Sequence, residues 1–183
     1  MTAYLAILRG VNVSGHRRIK MAALERVFWE LGYSSVATFI QSGNVIFASP
    51  SRNSAELAST IEERLVAELG FLVRVLIRSR DELAAVIREN PFIGEGTDVA
   101  ELHLTFLAGT PSRSVGLAAD QGPYAPDRFR LGICEVYLHC PFGYGRTKLH
   151  NGFWERRLGV VATTRNWNTV TRLMGLLDGL PVA

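Results

Sequence analysis

The chain has 183 residues, 48% of them hydrophobic, and a formal net charge of +3. That length and apolar content are enough to bury a core and exclude a disordered chain, while the small excess of charge defines no partner by itself. The two cysteines, Cys134 and Cys140, exclude a disulfide framework and lack the CxxC spacing of a metal or redox site, so they read as small core residues on one face of a strand.

The opening segment MTAYLAILRG carries a short apolar run with no basic stretch before it. It reads as neither a signal peptide nor a membrane span, so a cytoplasmic chain with no membrane partner is expected. Ala3 to Leu8 reads as a strand, followed by the loop GVNVSGHRR. Leu24, Val27, Phe28 and Leu31 have the spacing of an amphipathic helix closed by Gly32. Val36 to Ile40 and Val45 to Phe47 form a hairpin about QSGN, Ser54 to Leu69 a helix stopped by Gly70, and Leu72 to Ile77 a strand. This β-α-β-β-α-β order is that of the ferredoxin-like fold.

After a helix from about Asp81 to Arg88 a similar series begins: a strand at Leu102 to Leu107, a short helix at Ser112 to Ala119, strands at Phe129 to Leu131 and Val136 to His139, a helix at Lys148 to Leu158, an extended piece at Val160 to Thr163 and a last helix through Met174 and Leu177. The expected class is α+β: two ferredoxin-like units in tandem, residues 1–90 and 91–183, with an extra C-terminal helix. Leu5 and Ile7 on one side of the first strand, and Tyr4, Ala6 and Leu8 on the other, are all apolar. A one-sided antiparallel sheet would alternate, so the second face is expected to be covered, by the second unit.

Charge is unevenly placed. Arg9, Arg17, Arg18 and Lys20 stand in a segment without acids, and from Pro141 to Arg172 six basic residues face only Glu155. Eighteen of the twenty basic residues are arginine, and the two lysines, Lys20 and Lys148, fall one in each basic segment. Coding bias explains this, or else these positions need a compact ammonium on a flexible stem, as phosphate-facing lysines do.

A helix N-terminus is electropositive and favours acids in its first turn. Ser54 before Glu56, and Ser79 before Asp81 and Glu82, obey this rule. Three other expected helices are entered through bases: the first through His16, Arg17, Arg18 and Lys20, the one near Leu149 through GYGRTK, and the last through TTRN. Glycine loops, exposed amides and cations are the components of a phosphate or carboxylate site. In the stretch ATTRNWNTV, Arg165, Asn166 and Asn168 would supply donors and Trp167 a wall; alternatively Asn166 caps the helix and Trp167 anchors it.

GYGRTK lacks the P-loop order of lysine before Ser or Thr, and GVNVSG lacks dinucleotide spacing. His16, His103, His139 and His150 show no metal-ligand pattern. Ser42 has no local base to activate it. No metal or cofactor is expected, and no catalytic residue is assigned.

Together LRGVNVSG, QSGNVIF, RTKL and TRNWNTV resemble a bacterial family, the domain of unknown function sixteen-ninety-seven. The resemblance spans nearly the whole chain and implies two ferredoxin-like units, with no reaction or substrate attached. The expected site gathers Arg9, Asn12, Lys20, Gln41, Ser42 and Asn44 against Arg146, Lys148, Arg165, Asn166, Trp167 and Asn168 at the interface between units, and takes a small anionic ligand, phosphorylated or nucleotide-like. The alternatives are an RNA or single-strand binding module, suggested by topology and by Phe47 in GNVIF, and a structural or oligomerisation protein without ligand.

Overall fold

The computed structural model describes residues 1–13, 18–111 and 123–182. The chain divides into two compact units, Met1–Ala84 with Leu173–Ala183, and Ala85–Arg172.

In the first unit the order is β1 (Thr2–Leu8), α1 (Met21–Glu30), β2 (Ser34–Phe39), β3 (Asn44–Ser49), α2 (Ser54–Leu69) and β4 (Val75–Ser79). The strands pair antiparallel in the order β2-β3-β1-β4. Tyr4, Ala6 and Leu8 turn with Val45 and Phe47 toward Leu24, Val27 and Phe28 of α1 and Leu57, Ile61 and Leu65 of α2, which form one core. On the opposite face Leu5 and Ile7 are closed to solvent as well, as their lack of alternation requires. The helix ends follow local chemistry. Asn53, the residue before Ser54, caps α2 by accepting from the amides of Ala55 and Glu56, and Gly70 ends it in a left-handed conformation. Ser79 and Glu82 exchange backbone bonds in a capping box at the start of α3 (Arg80–Arg88). The C-terminal segment is tied to this unit by an Arg80–Asp178 ion pair at 2.6 Å and a bond from the Ser35 hydroxyl to the Pro181 carbonyl at 2.7 Å.

The second unit holds β5 (Leu102–Leu107), β6 (Arg128–Leu131), β7 (Glu135–His139), α4 (Asn151–Leu158) and β8 (Ala162–Asn166), which runs directly into α5 (Trp167–Asp178). Its sheet has the order β6-β7-β5-β8, antiparallel throughout. Leu107, Val136, Leu138, Phe129 and Ala162 of the sheet pack on Trp154, Leu158 and Leu149. Among the described residues the architecture is α+β, two four-stranded antiparallel sheets with five helices. The helix expected at Ser112 to Ala119 lies outside the described residues.

One expectation at the basic segments is corrected. GYGRTK does not enter a helix: Tyr144–Arg146 forms a short 3-10 turn, Thr147 is extended, and α4 begins only at Asn151, capped by His150. The Thr147 hydroxyl donates to Asp127 at 2.6 Å and accepts from the Leu149 amide at 3.1 Å, which holds this stretch out of helical geometry. TTRN leads directly into α5, as expected, but as a strand. Thr163 to Asn166 is strand, paired through Thr105↔Thr164 and Leu104↔Arg165 with β5. The cysteines flank β7 instead of sharing its face; Cys140 is buried and Cys134 half-buried.

Candidate functional site

In the first unit the loop after β1 and the turn of the β2–β3 hairpin are tied together by Asn12. Its Nδ2 donates to the carbonyls of Ile19 (3.1 Å) and Gln41 (2.8 Å), and its Oδ1 accepts from the Ile19 amide at 2.8 Å. Both sides of this junction carry unusual backbone: Asn12 has φ +54° and Ile40 φ +51°. For a β-branched residue such as Ile40 that conformation costs about 1–3 kcal/mol. Asn44 is fully buried and spends its amide on the Phe39 carbonyl (3.1 Å) and the Ser42 hydroxyl (2.9 Å), which shapes the turn. Arg9 is half-buried, its amide bonded to the Arg74 carbonyl at 2.8 Å.

Beside this junction lies an open hollow of about 560 Å³ lined by Asn12, Arg18, Ile19, Lys20, Met21 and Gln41. Lys20 stands at the N-cap of α1 with no side-chain cap and no acid in the first turn, so the electropositive start of the helix adjoins a hollow lined by two cations. Asn12, Lys20 and Gln41 are thereby brought together with Arg18. His16 and Arg17 lie outside the described residues.

In the second unit Arg146 and Lys148 line a hollow of about 190 Å³ with Phe142 and residues 123–127. Both cations are exposed. Arg165 is elsewhere, only 8% exposed within β8, where its Nη1 donates to the Thr163 hydroxyl and the Thr164 carbonyl, each at 2.9 Å. Burial pushes its guanidinium down to about 10, opposed by the Tyr144 phenol, so it remains a cation at neutral pH. Asn166 accepts from the Thr169 amide at 2.8 Å and thus caps α5; Trp167 is buried and Asn168 exposed in the first turn.

A polar network that the sequence did not point to crosses the β5–β8 pair. Thr164 donates to Asn151 at 2.6 Å and bonds Thr105 at 2.7 Å, while Tyr144 donates to Thr164 at 3.0 Å. The Tyr144 ring stacks on His103 at 5.1 Å. Burial holds the His103 imidazole below its ordinary 6.5, against a bond to the Glu101 carbonyl, so it is neutral at pH 7. His139 pairs with Glu101 at 2.8 Å, and His150 accepts from the Phe153 amide. Among the described residues no three His, Cys, Asp or Glu side chains gather as a metal site, and no helix is long and apolar enough to cross a membrane.

Among solved structures, the chain is similar to conserved bacterial protein SP0830 from Streptococcus pneumoniae, with a TM-score of 0.73 and 22% identity over 96% of this chain and 98% of that one. At that identity the likeness concerns the fold alone. No curated protein matches. The family described as "Protein of unknown function (DUF1697)" matches residues 1–137, which include the loop after β1, the first hairpin turn, β5, β6 and the start of β7, and to this family the chain belongs.

Proposed function

We propose that this chain binds a small anionic ligand, phosphorylated or nucleotide-like, through the basic hollows of its two units. The observation that carries this reading is that its two lysines each line a hollow beside an arginine, Lys20 with Arg18 and Lys148 with Arg146. A lysine in a chain whose basic residues are otherwise all arginine, set in a concavity beside an arginine, suits a phosphate as a compact point charge. No reaction is assigned. The reading of both units as ferredoxin-like belongs to the same proposal, supported by the β-α-β-β-α-β order of the first unit and the shared second-third-first-fourth strand order of both sheets. A cytoplasmic location belongs to the same proposal, supported by a content of two cysteines, too few for a disulfide framework.

The test is equilibrium titration of the full chain with inorganic pyrophosphate and with AMP at low salt, comparing wild type with Lys20→Ala and Lys148→Ala. Saturable binding that weakens about tenfold in either variant is expected, the size of a lost charge-assisted bond. A single-stranded RNA titrated across a salt series separates the alternative, since nucleic-acid binding gives a logarithmic slope of about −0.7 per phosphate neutralised. Phe47 is fully buried and offers no stacking plane, so a flat response is expected. Absence of binding to pyrophosphate, AMP and RNA alike would leave a structural protein.

A further inference from the structure

We propose that the hollow of the second unit is a subsite for a phosphate ester that carries a planar ring, with Phe142 as the stacking plane and Arg146 and Lys148 as the anion contacts. This rests on the reading of the chain as an anion binder and narrows it to one ligand class.

The hollow is built from fixed parts. Tyr124 is held by edge contacts to Phe129 and Phe153, with ring centroids 6.4 and 5.2 Å away, so the wall it forms does not swing. On the other side Thr147 is extended, with φ −71° and ψ 148°, and its hydroxyl is pinned to Asp127. Arg146, at the end of the 3-10 turn, and Lys148 are exposed on either side of buried Thr147, and both line the hollow. The backbone between Phe142 and Arg146 is fixed by two successive turn bonds, Gly143 N to Cys140 O at 2.9 Å and Arg146 N to Gly143 O at 3.1 Å.

Phe142 is 67% exposed on the rim of a hollow that also holds two cations. Arginine and lysine alone would accept any phosphate. An exposed phenyl plane beside them adds nothing for inorganic phosphate or a sugar phosphate, but it stacks on a planar ring. Among the described residues that line the hollow, two cations against the carboxylate of Asp127 leave one net positive charge, which matches one phosphate group better than a triphosphate. At about 190 Å³ the hollow is smaller than the roughly 300–1,000 Å³ of sites that enclose a whole drug-sized molecule. It therefore takes one ring and one phosphate and leaves the remainder in water.

The experiment titrates the full chain with AMP, phenyl phosphate and ribose 5-phosphate, using wild type, Phe142→Leu and Phe142→Tyr. Because Phe142 is exposed, both variants are expected to keep the wild-type melting temperature. At least one ring-bearing ester should bind about fivefold or more tighter than ribose 5-phosphate. Phe142→Leu should erase that preference without altering ribose 5-phosphate affinity, and Phe142→Tyr should retain it. Whichever of AMP and phenyl phosphate binds tighter identifies the ring as a nucleobase or an aryl group. Equal affinity for all three esters, or a preference untouched by Phe142→Leu, overturns the subsite while leaving the anion reading intact. No binding of any ester overturns both.

Discussion

The side-chain amide of Asn12 donates to the carbonyl of Gln41 at 2.8 Å, so the loop after β1 and the turn of the first hairpin form one unit of structure. The same side chain makes two further bonds to Ile19 and sits at φ +54°, a conformation that asparagine tolerates better than alanine. Asn12→Ala removes three bonds and adds backbone strain, and should cost about 2–3 kcal/mol. Denaturant unfolding checks this. The variant should also lose affinity for pyrophosphate, since the hollow beside Lys20 depends on both segments this residue joins.

Gly43 stands at φ +77°, and a Cβ placed on it would lie 2.4 Å from Val11 Cγ2 and 2.9 Å from Leu8 Cβ. Its carbonyl accepts from the Leu8 amide at 2.8 Å, so the turn cannot simply lift away. Both the conformation and the close approach require glycine. Gly43→Ala should destabilise the chain by about 2–4 kcal/mol, read as a lower denaturation midpoint with an unchanged slope. A variant within about 0.5 kcal/mol of wild type would contradict the packing described at this turn.

These two residues also show what the sequence could and could not tell. QSGN was legible as a turn because glycine and asparagine punctuate two apolar runs, and α1 and α2 were legible because Leu24, Val27 and Phe28, and Leu57, Ile61 and Leu65, recur at helical spacing and are buried as that spacing demands. Asn12 could be picked out as polar in a glycine loop. That it is consumed by structural bonds was not legible, since its partner Gln41 is distant in sequence. The same reason explains the error at GYGRTK: the Thr147–Asp127 bond that keeps Thr147 extended joins residues twenty positions apart. TTRN was legible as the entry to the last helix, but its extended form was legible only in part. Its strand identity comes from pairing with β5, fifty-nine residues away at Thr105↔Thr164. Phe142 escaped attention because an isolated aromatic has no periodicity, and only the fold sets it beside Arg146 and Lys148.

Asn166 separates the structural from the ligand-binding role of ATTRNWNTV. Its Oδ1 accepts from the Thr169 amide at 2.8 Å, the bond of an N-cap. Asn166→Ala should cost about 1 kcal/mol, whereas Asn166→Asp, which keeps the acceptor and adds a charge suited to the helix end, should cost nothing or stabilise slightly. If Asn166 also contacted an anion, Asn166→Asp would weaken AMP binding by repulsion while leaving stability intact. Measuring both quantities on one pair of variants assigns the residue.

The pH dependence follows from two buried groups. Burial pushes the Cys140 thiol up to about 12 from an ordinary 9.0, with the charge of Asp127 adding to the shift, and burial raises the Tyr137 phenol as well. Below about pH 9 folded and unfolded chains both hold the thiol proton, and the group contributes no slope. Above it the unfolded chain releases a proton that the folded chain keeps, so unfolding is favoured as pH rises. Between pH 9 and 10 the slope due to Cys140 should approach about −1.4 kcal/mol per pH unit. Above pH 10 Tyr137 adds to the loss, while Arg165, whose guanidinium is pushed down, acts in the opposite sense by releasing its proton earlier in the folded state. Cys140→Ala should flatten the profile between pH 9 and 10, seen by urea unfolding at each pH. The same burial predicts thiol reactivity: with an excess of a disulfide reagent at pH 8, half-buried Cys134 should react in the native chain and Cys140 only on unfolding. Two equally fast thiols would show that the β7 end of this sheet opens to solvent.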